Sequence, residues 1–286
     1  MKKKARKEAE PEFYKSALQT PVRNYNVYRM KPLENIAVSA LLFVVGAIVG
    51  YVFYGNLFTV EGVATIATHV SNAVVMILVG VLAVVLLRPA WIAHRVTQQK
   101  KELRQQFRNF LEALVSSLSA GKNVSQAVQE TYKDVSLQYG EKSFISNEIQ
   151  EMIHSEQNGI HLEACLADLG RRSRIQDIAD FGDVFAIGYE QGANMKEVAR
   201  KTYGIIDDKM EIEEEIRTKL TSNQIQLRMM MGTPVLIIGM LRFTNESFAN
   251  NFSTPSGVMS MTIGLCCMGI AYLLGKKITS IGEEES

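Results

Sequence analysis

"SAGKNVSQAV" occupies residues 119–128 and "EQGANMKEVA" occupies residues 190–199. Each sets a Gly two residues before an Asn, and the Asn three residues before a Gln or Glu: Gly121, Asn123, Gln126, then Gly192, Asn194, Glu197. Glycine closes helices because it takes the left-handed backbone without a Cβ clash, and Asn caps the next helix by accepting from a first-turn amide. Gln or Glu at the third helical position suits a capping box. Both phrases predict a helix–turn–helix junction. Phe110, Leu114 and Leu118 stand 11, 7 and 3 residues before Gly121, and Phe181, Phe185 and Tyr189 stand at the same offsets before Gly192. Beyond the junctions, Val124, Ala127, Val128 and Tyr132, then Met195, Val198, Ala199 and Thr202, supply the inner faces. Any two αα-hairpins tend to share a glycine stop and an Asn cap, so the matched stripe carries the case for an internal repeat offset by 71 residues. Between the copies, "QNGIHLEACLADLGRR" (157–172) is a third Gly-then-amphipathic-helix phrase, with Ile160, Leu162, Cys165, Leu166 and Leu169 on its apolar side.

Outside this helical middle the chain is apolar. Residues 35–55 and 64–87 carry no Asp, Glu, Lys or Arg, and residues 256–275 form a third such run. Each can cross a hydrocarbon core of roughly 30 Å at about 1.5 Å per residue. Residues 229–243 are apolar but short, with Pro234 inside and Arg242 at the end. They read either as a span whose Arg242 snorkels to a headgroup or as a re-entrant segment, and a span is favoured.

Basic residues orient these spans. Lys2, Lys3, Lys4, Arg6, Lys7, Lys15, Arg23, Arg29 and Lys31 precede the first. Arg88, Arg95, Lys100, Lys101, Arg104 and Arg108 follow the second. Arg228 precedes the third, and Lys276 and Lys277 follow the fourth. The connectors 56–63 and 244–255 contain neither Lys nor Arg. The positive-inside rule puts both termini and the middle in the cytoplasm. The sequon matches at Asn245 and Asn251 read as chance in an Asn- and Ser-rich loop.

The expected fold is an all-α membrane protein, in which two N-terminal and two C-terminal transmembrane helices flank a cytoplasmic helical bundle of repeated αα-hairpins. Its expected parts are a basic cytoplasmic segment (1–33), a transmembrane hairpin (34–87), the bundle (88–227), a second transmembrane hairpin (228–275) and a cytoplasmic tail (276–286).

A net charge of +1 over 286 residues gives no sign of nucleic-acid binding. The three cysteines, Cys165, Cys266 and Cys267, form no CxxC and no disulfide framework. His154, Glu156, His161, Glu163 and Cys165 include metal-capable groups, but the "HLE" phrase lacks the P-C-x-x-C partner of a zinc deaminase, and they read as solvated helix faces. His69 sits near the end of its span and reads as interfacial. No phosphate-binding loop, HExxH or kinase glycine loop is present. Catalytic, metal and cofactor sites are therefore expected to be none.

Taken in order, "LVSSLSAGKNVSQA", "NGIHLEACLADLGRRS" and "DFGDVFAIGYEQGANMKEVARKTYGIIDDKME" resemble the three segments of the type II secretion F-domain family. The middle phrase resembles its G-x-x-L-x-x-x-L-x-x-L-x-x-R segment. Two spans before and two after resemble the inner-membrane platform proteins of Tad/Flp pilus systems (TadB- and TadC-like). The resemblance covers residues 35–275. It implies a platform without an active site of its own in the inner membrane. It also implies a hexameric secretion ATPase and prepilin or pseudopilin subunits as partners, with a paralogous platform protein or a second copy of the chain beside it in the lipid. The rival reading is a membrane-anchored helical signalling or scaffold protein, which would carry extended heptads and a sizeable outer domain.

Asp207, Asp208, Glu211, Glu213, Glu214 and Glu215 form one acidic run. It reads as a solvated helix face or as a docking patch for a basic ATPase surface. Glu213–Arg217 and Glu215–Lys219 have helix i,i+4 spacing. Gly46 with Gly50, and Gly257 with Gly264, permit close helix approach, either within the membrane unit or between copies.

Overall fold

The structure, a computed structural model, describes residues 10–16, 18–55, 65–245, 251 and 254–284, with side chains except at 220, 222–224, 228, 255 and 276–284. The basic cluster Lys2–Lys7, the connector 56–63 and the sequon residues Ser247 and Ser253 lie outside them.

Among the described residues the chain is almost wholly helical. A short antiparallel hairpin comes first, β1 (Phe13–Lys15) and β2 (Pro21–Arg23), with Tyr14 opposite Val22. The helices are α1 (Pro32–Tyr54), α2 (Ile66–Ser119), α3 (Val124–Tyr139), α4 (Phe144–Gln157), α5 (Leu162–Ser173), α6 (Gln176–Glu190), α7 (Met195–Thr244) and α8 (Pro255–Glu284). Among the described residues, four stretches are long and apolar enough to cross a membrane: Pro32–Tyr54, the apolar part of Ile66–Ser119, Ile225–Thr244 and Ser256–Gly275.

The chain divides into two compact units, Met1–Arg29 with Ile92–Glu211, and Met30–Trp91 with Ile212–Ser286. The described residues 10–16 and 18–29 of the basic segment read at 1–33 belong to the same unit as the bundle.

In the first unit the repeat is visible as burial. Phe107 and Ile178, Phe110 and Phe181, Leu114 and Phe185, Val128 and Ala199, and Val135 and Ile206 are all buried, each pair 71 residues apart. Burying each large apolar side chain contributes about 1.5–3 kcal/mol. The copies meet through aromatic rings, with Phe107 edge-on to Phe181 at 5.6 Å. The symmetry fails at Leu118 and Tyr189, the first buried and the second half-exposed. Helix α5 lies close on α6 because Gly170 faces the Ala179 backbone, which a Cβ at residue 170 would approach to 2.7 Å.

In the second unit, Gly46 and Gly50 face the apolar part of α2. A Cβ at Gly46 would fall 2.6 Å from that of Ala83, and one at Gly50 would fall 3.0 Å from that of Val79. Among the described residues nothing lies within 4 Å of a Cβ built on Gly264, and the Gly257 amide donates to Thr254 Oγ1 at the start of α8. Arg242 does not reach for a headgroup as expected. It is 8 % exposed and donates to the Val52 and Gly55 carbonyls. The last carbonyls of α1 have no partner within their own helix, and a guanidinium can serve two of them at once.

Candidate functional site

The apolar stripe of α5, Leu162, Leu166 and Leu169, is buried, and its helical spacing continues to Arg172. Arg172 is therefore carried inward and is 6 % exposed. Its Nη2 donates to Glu148 Oε2 of α4 at 2.7 Å, and Nε donates to Asp168 at 2.5 Å. Burial disfavours the guanidinium charge, but the bonds and negative charge of Glu148 and then Asp168 outweigh it and hold the pKa above the ordinary arginine value. Glu148 also accepts from the Tyr25 hydroxyl at 2.8 Å. Tyr25 is 1 % exposed, and burial, followed by the adjacent carboxylate, pushes its pKa well up.

The N-terminal segment completes this network. Arg172 Nη1 donates to the Arg23 carbonyl at 2.9 Å, and Asn26 Nδ2 donates to the Arg172 carbonyl at 2.7 Å. Gln99 of α2 donates to the Tyr25 carbonyl at 2.8 Å. The Arg23 guanidinium lies over the Phe144 ring, 5.0 Å from its centroid. Arginine at the closing position of the 159–172 phrase was visible in the sequence; its partners were not.

At one end of this unit the glycine turns gather. Gly121, Gly159 and Gly192 all have positive φ, +83°, +82° and +65°, which a side chain would strain. Around them lies a cleft of about 750 Å³ lined by Leu118 and Asn123, Ile160 and His161, and Tyr189 and Asn194, among others. The two Asn residues act differently. The Asn123 side chain accepts from the Gln126 amide at 2.9 Å, whereas Asn194 accepts from the Glu197 amide through its backbone carbonyl, also at 2.9 Å.

These junctions, the Arg172 phrase and most of α7 fall within one match: residues 110–242 fit the family model of type II secretion system protein F. Residues 110–242 form a type II secretion F domain. No curated protein and no solved structure matches the chain significantly.

The F domain starts inside α2, ends at Arg242 in α7, and contains both repeat junctions. Tyr25 and the hairpin before it lie outside the match. The acidic run lies inside it and is not uniform. Asp207 pairs with Arg108 of α2, whereas Asp208, Glu211, Glu214 and Glu215 are exposed on α7. Glu213 is partly buried. Lys219 pairs with Glu215 at 2.9 Å. Asp208, Glu211 and Glu215 share one helix face by their spacing.

Of the metal-capable residues of the F domain, Glu156, His161 and Glu163 line the cleft, with His161 Nδ1 4.0 Å from a Glu163 carboxylate oxygen. His154 and His161 are exposed, and Glu156 accepts from Ser125 at 2.9 Å. Burial pushes the Cys165 thiol up, which favours the less nucleophilic protonated form. Among the described residues no group of three or more His, Cys, Asp and Glu could hold a metal ion.

Proposed function

We propose that this protein is the inner-membrane platform of a Tad/Flp-type pilus or a type II secretion pseudopilus. It couples a cytoplasmic hexameric ATPase to the extraction and polymerisation of pilin subunits and has no catalytic site of its own. The observation that carries this reading is an F domain at residues 110–242 in a chain whose described residues include four helices apolar enough to span a bilayer, two of them ahead of the domain's packed bundle.

Chain connectivity supports a reading in which the N-terminal segment and the F-domain bundle lie on the same side of the bilayer. Asn26 and Arg172 are hydrogen-bonded within one unit, which fits an even number of bilayer crossings between Arg29 and Ile92. The apolar segments of α1 and α2 supply two crossings. The basic residues on both sides of that hairpin favour the cytoplasmic face. On this reading residues 34–87 and 228–275 are the membrane hairpins and both termini are cytoplasmic. The exposed carboxylates of α7, Asp208, Glu211, Glu214 and Glu215, are the proposed docking face for a basic ATPase surface. Charge there sets orientation and on-rate.

The test is affinity capture of the detergent-solubilised protein from its native membrane, read by mass spectrometry. Co-capture of a secretion-type ATPase and prepilin-like subunits is expected. Capture of a kinase or receptor in their place would overturn the reading.

A further inference from the structure

The segment Thr20–Tyr28 precedes the F-domain match, yet it is built into the same unit. It touches three helices. Tyr25 and Val27 offer their carbonyls to Gln99 of α2, at 2.8 and 3.2 Å. Thr20 and Tyr25 donate to Glu151 and Glu148 of α4. Arg23 and Asn26 exchange hydrogen bonds with Arg172 of α5. Four residues after Tyr28 the chain enters α1 at Pro32.

A passive connector runs over the surface with its backbone bonded to water. This one buries Asn24, Val22 and Tyr25 and supplies a carbonyl to a buried guanidinium. Its departure would leave that guanidinium short of an acceptor and Glu148 short of a donor, a costly state inside a protein.

We propose that residues 20–28 are a permanent tether through which load on α1 reaches α4 and α5 of the F domain, with Tyr25, Glu148 and Arg172 as its positioning residues. The proposal rests on the platform reading, which requires movement to pass between membrane helices and the F domain. Without the tether, α1 reaches α4 and α5 by way of long helices that it touches, α2 and α7. With it, the chain that leads into α1 is itself held by α4 and α5.

The test uses the full-length protein in its native membrane and in detergent. In Tyr25→Ala, amide exchange in residues 22–28 and across α4 and α5 should quicken at least tenfold. Exchange in α3 and α6 should stay unchanged, showing that the bundle is folded. Tyr25→Phe, which keeps the ring, should retain most of the protection. Unchanged exchange in α4 and α5 of Tyr25→Ala would overturn the tether.

The second arm locks the segment. Thr20→Cys and Glu151→Cys are cross-linked with a short bis-maleimide, in a background where Cys165, Cys266 and Cys267 are alanine. Pilus or secretion output should survive the cross-link and fall at least tenfold in Tyr25→Ala. Loss of output on cross-linking would mean that the segment must detach and would overturn a permanent tether, as would normal output from Tyr25→Ala. If the unmodified protein supports neither pilus nor secretion output, the platform reading fails, and the exchange arm still decides whether the segment holds α4 and α5.

Discussion

The Tyr25 hydroxyl and the Arg172 guanidinium share one carboxylate, that of Glu148, at 2.8 Å and 2.7 Å. The three residues come from the N-terminal segment, α5 and α4. One buried anion therefore fixes three parts of the chain that sequence separates by as many as 147 positions.

This arrangement sets an alkaline limit on stability. Burial, then the Glu148 charge, raises the folded-state pKa of Tyr25. A raised pKa means that the folded state holds its proton when the unfolded tyrosine, near 10, releases it. The stabilisation is complete below about pH 10 and is lost as pH rises beyond it. Thermal unfolding of wild type and Tyr25→Phe, followed by circular dichroism from pH 7 to pH 11, should show a steeper decline in wild type above pH 10. Parallel curves would refute it.

Removing one member of the buried pair should cost more than removing both. Arg172→Met leaves the Glu148 charge buried without its cation, at about 3–5 kcal/mol. Glu148→Leu combined with Arg172→Met removes both charges and should recover a large part of that loss. A double-mutant cycle on the apparent unfolding free energy in detergent checks this. Additive losses would contradict the pairing.

Two glycines should respond in opposite directions to one added methyl group. Gly170→Ala puts a Cβ 2.7 Å from the Ala179 backbone, forcing α5 off α6 at about 1–3 kcal/mol. A Cβ at Gly204, inside α7, meets nothing within 4 Å, so Gly204→Ala should stabilise by up to about 1 kcal/mol through helix propensity. Melting temperatures of the two variants should therefore fall on opposite sides of wild type.

The acidic run should separate into structural and partner-facing members. Charge reversal at Glu211, Glu214 and Glu215 should leave the melting temperature within a degree or two and reduce ATPase co-capture severalfold, most strongly at low salt. Asp207→Lys should instead destabilise the bundle, because it sets two cations together at Arg108. Undiminished capture by the triple reversal would remove this face as the docking surface.

Helix ends and apolar periodicity are local properties, and they were legible in the residues. Gly121 and Gly192 end their helices with positive φ, and Asn123 caps through its side chain. The Leu162–Leu166–Leu169 stripe lies inward, and the apolar runs form helices long enough to span a bilayer. Each follows from interactions within a few positions or from the cost of exposing apolar surface. The membrane context and the helical bundle needed no more than that.

The tertiary structure decided which polar groups meet. Residues 1–33 read as a basic cytoplasmic segment from their lysines and arginines, yet Tyr25 is in the core. Nothing within a few positions of Tyr25 announces Glu148 or Arg172. Arg242 read as an interfacial cation, but the open carbonyls that end α1 draw it inward. Asp207 and Asp208 are adjacent and alike, and only the packing of α2 against α7 turns one to Arg108 and leaves the other in solvent. A buried charge requires a partner that its own segment need not supply, so such pairs become visible only when distant parts of the chain pack together.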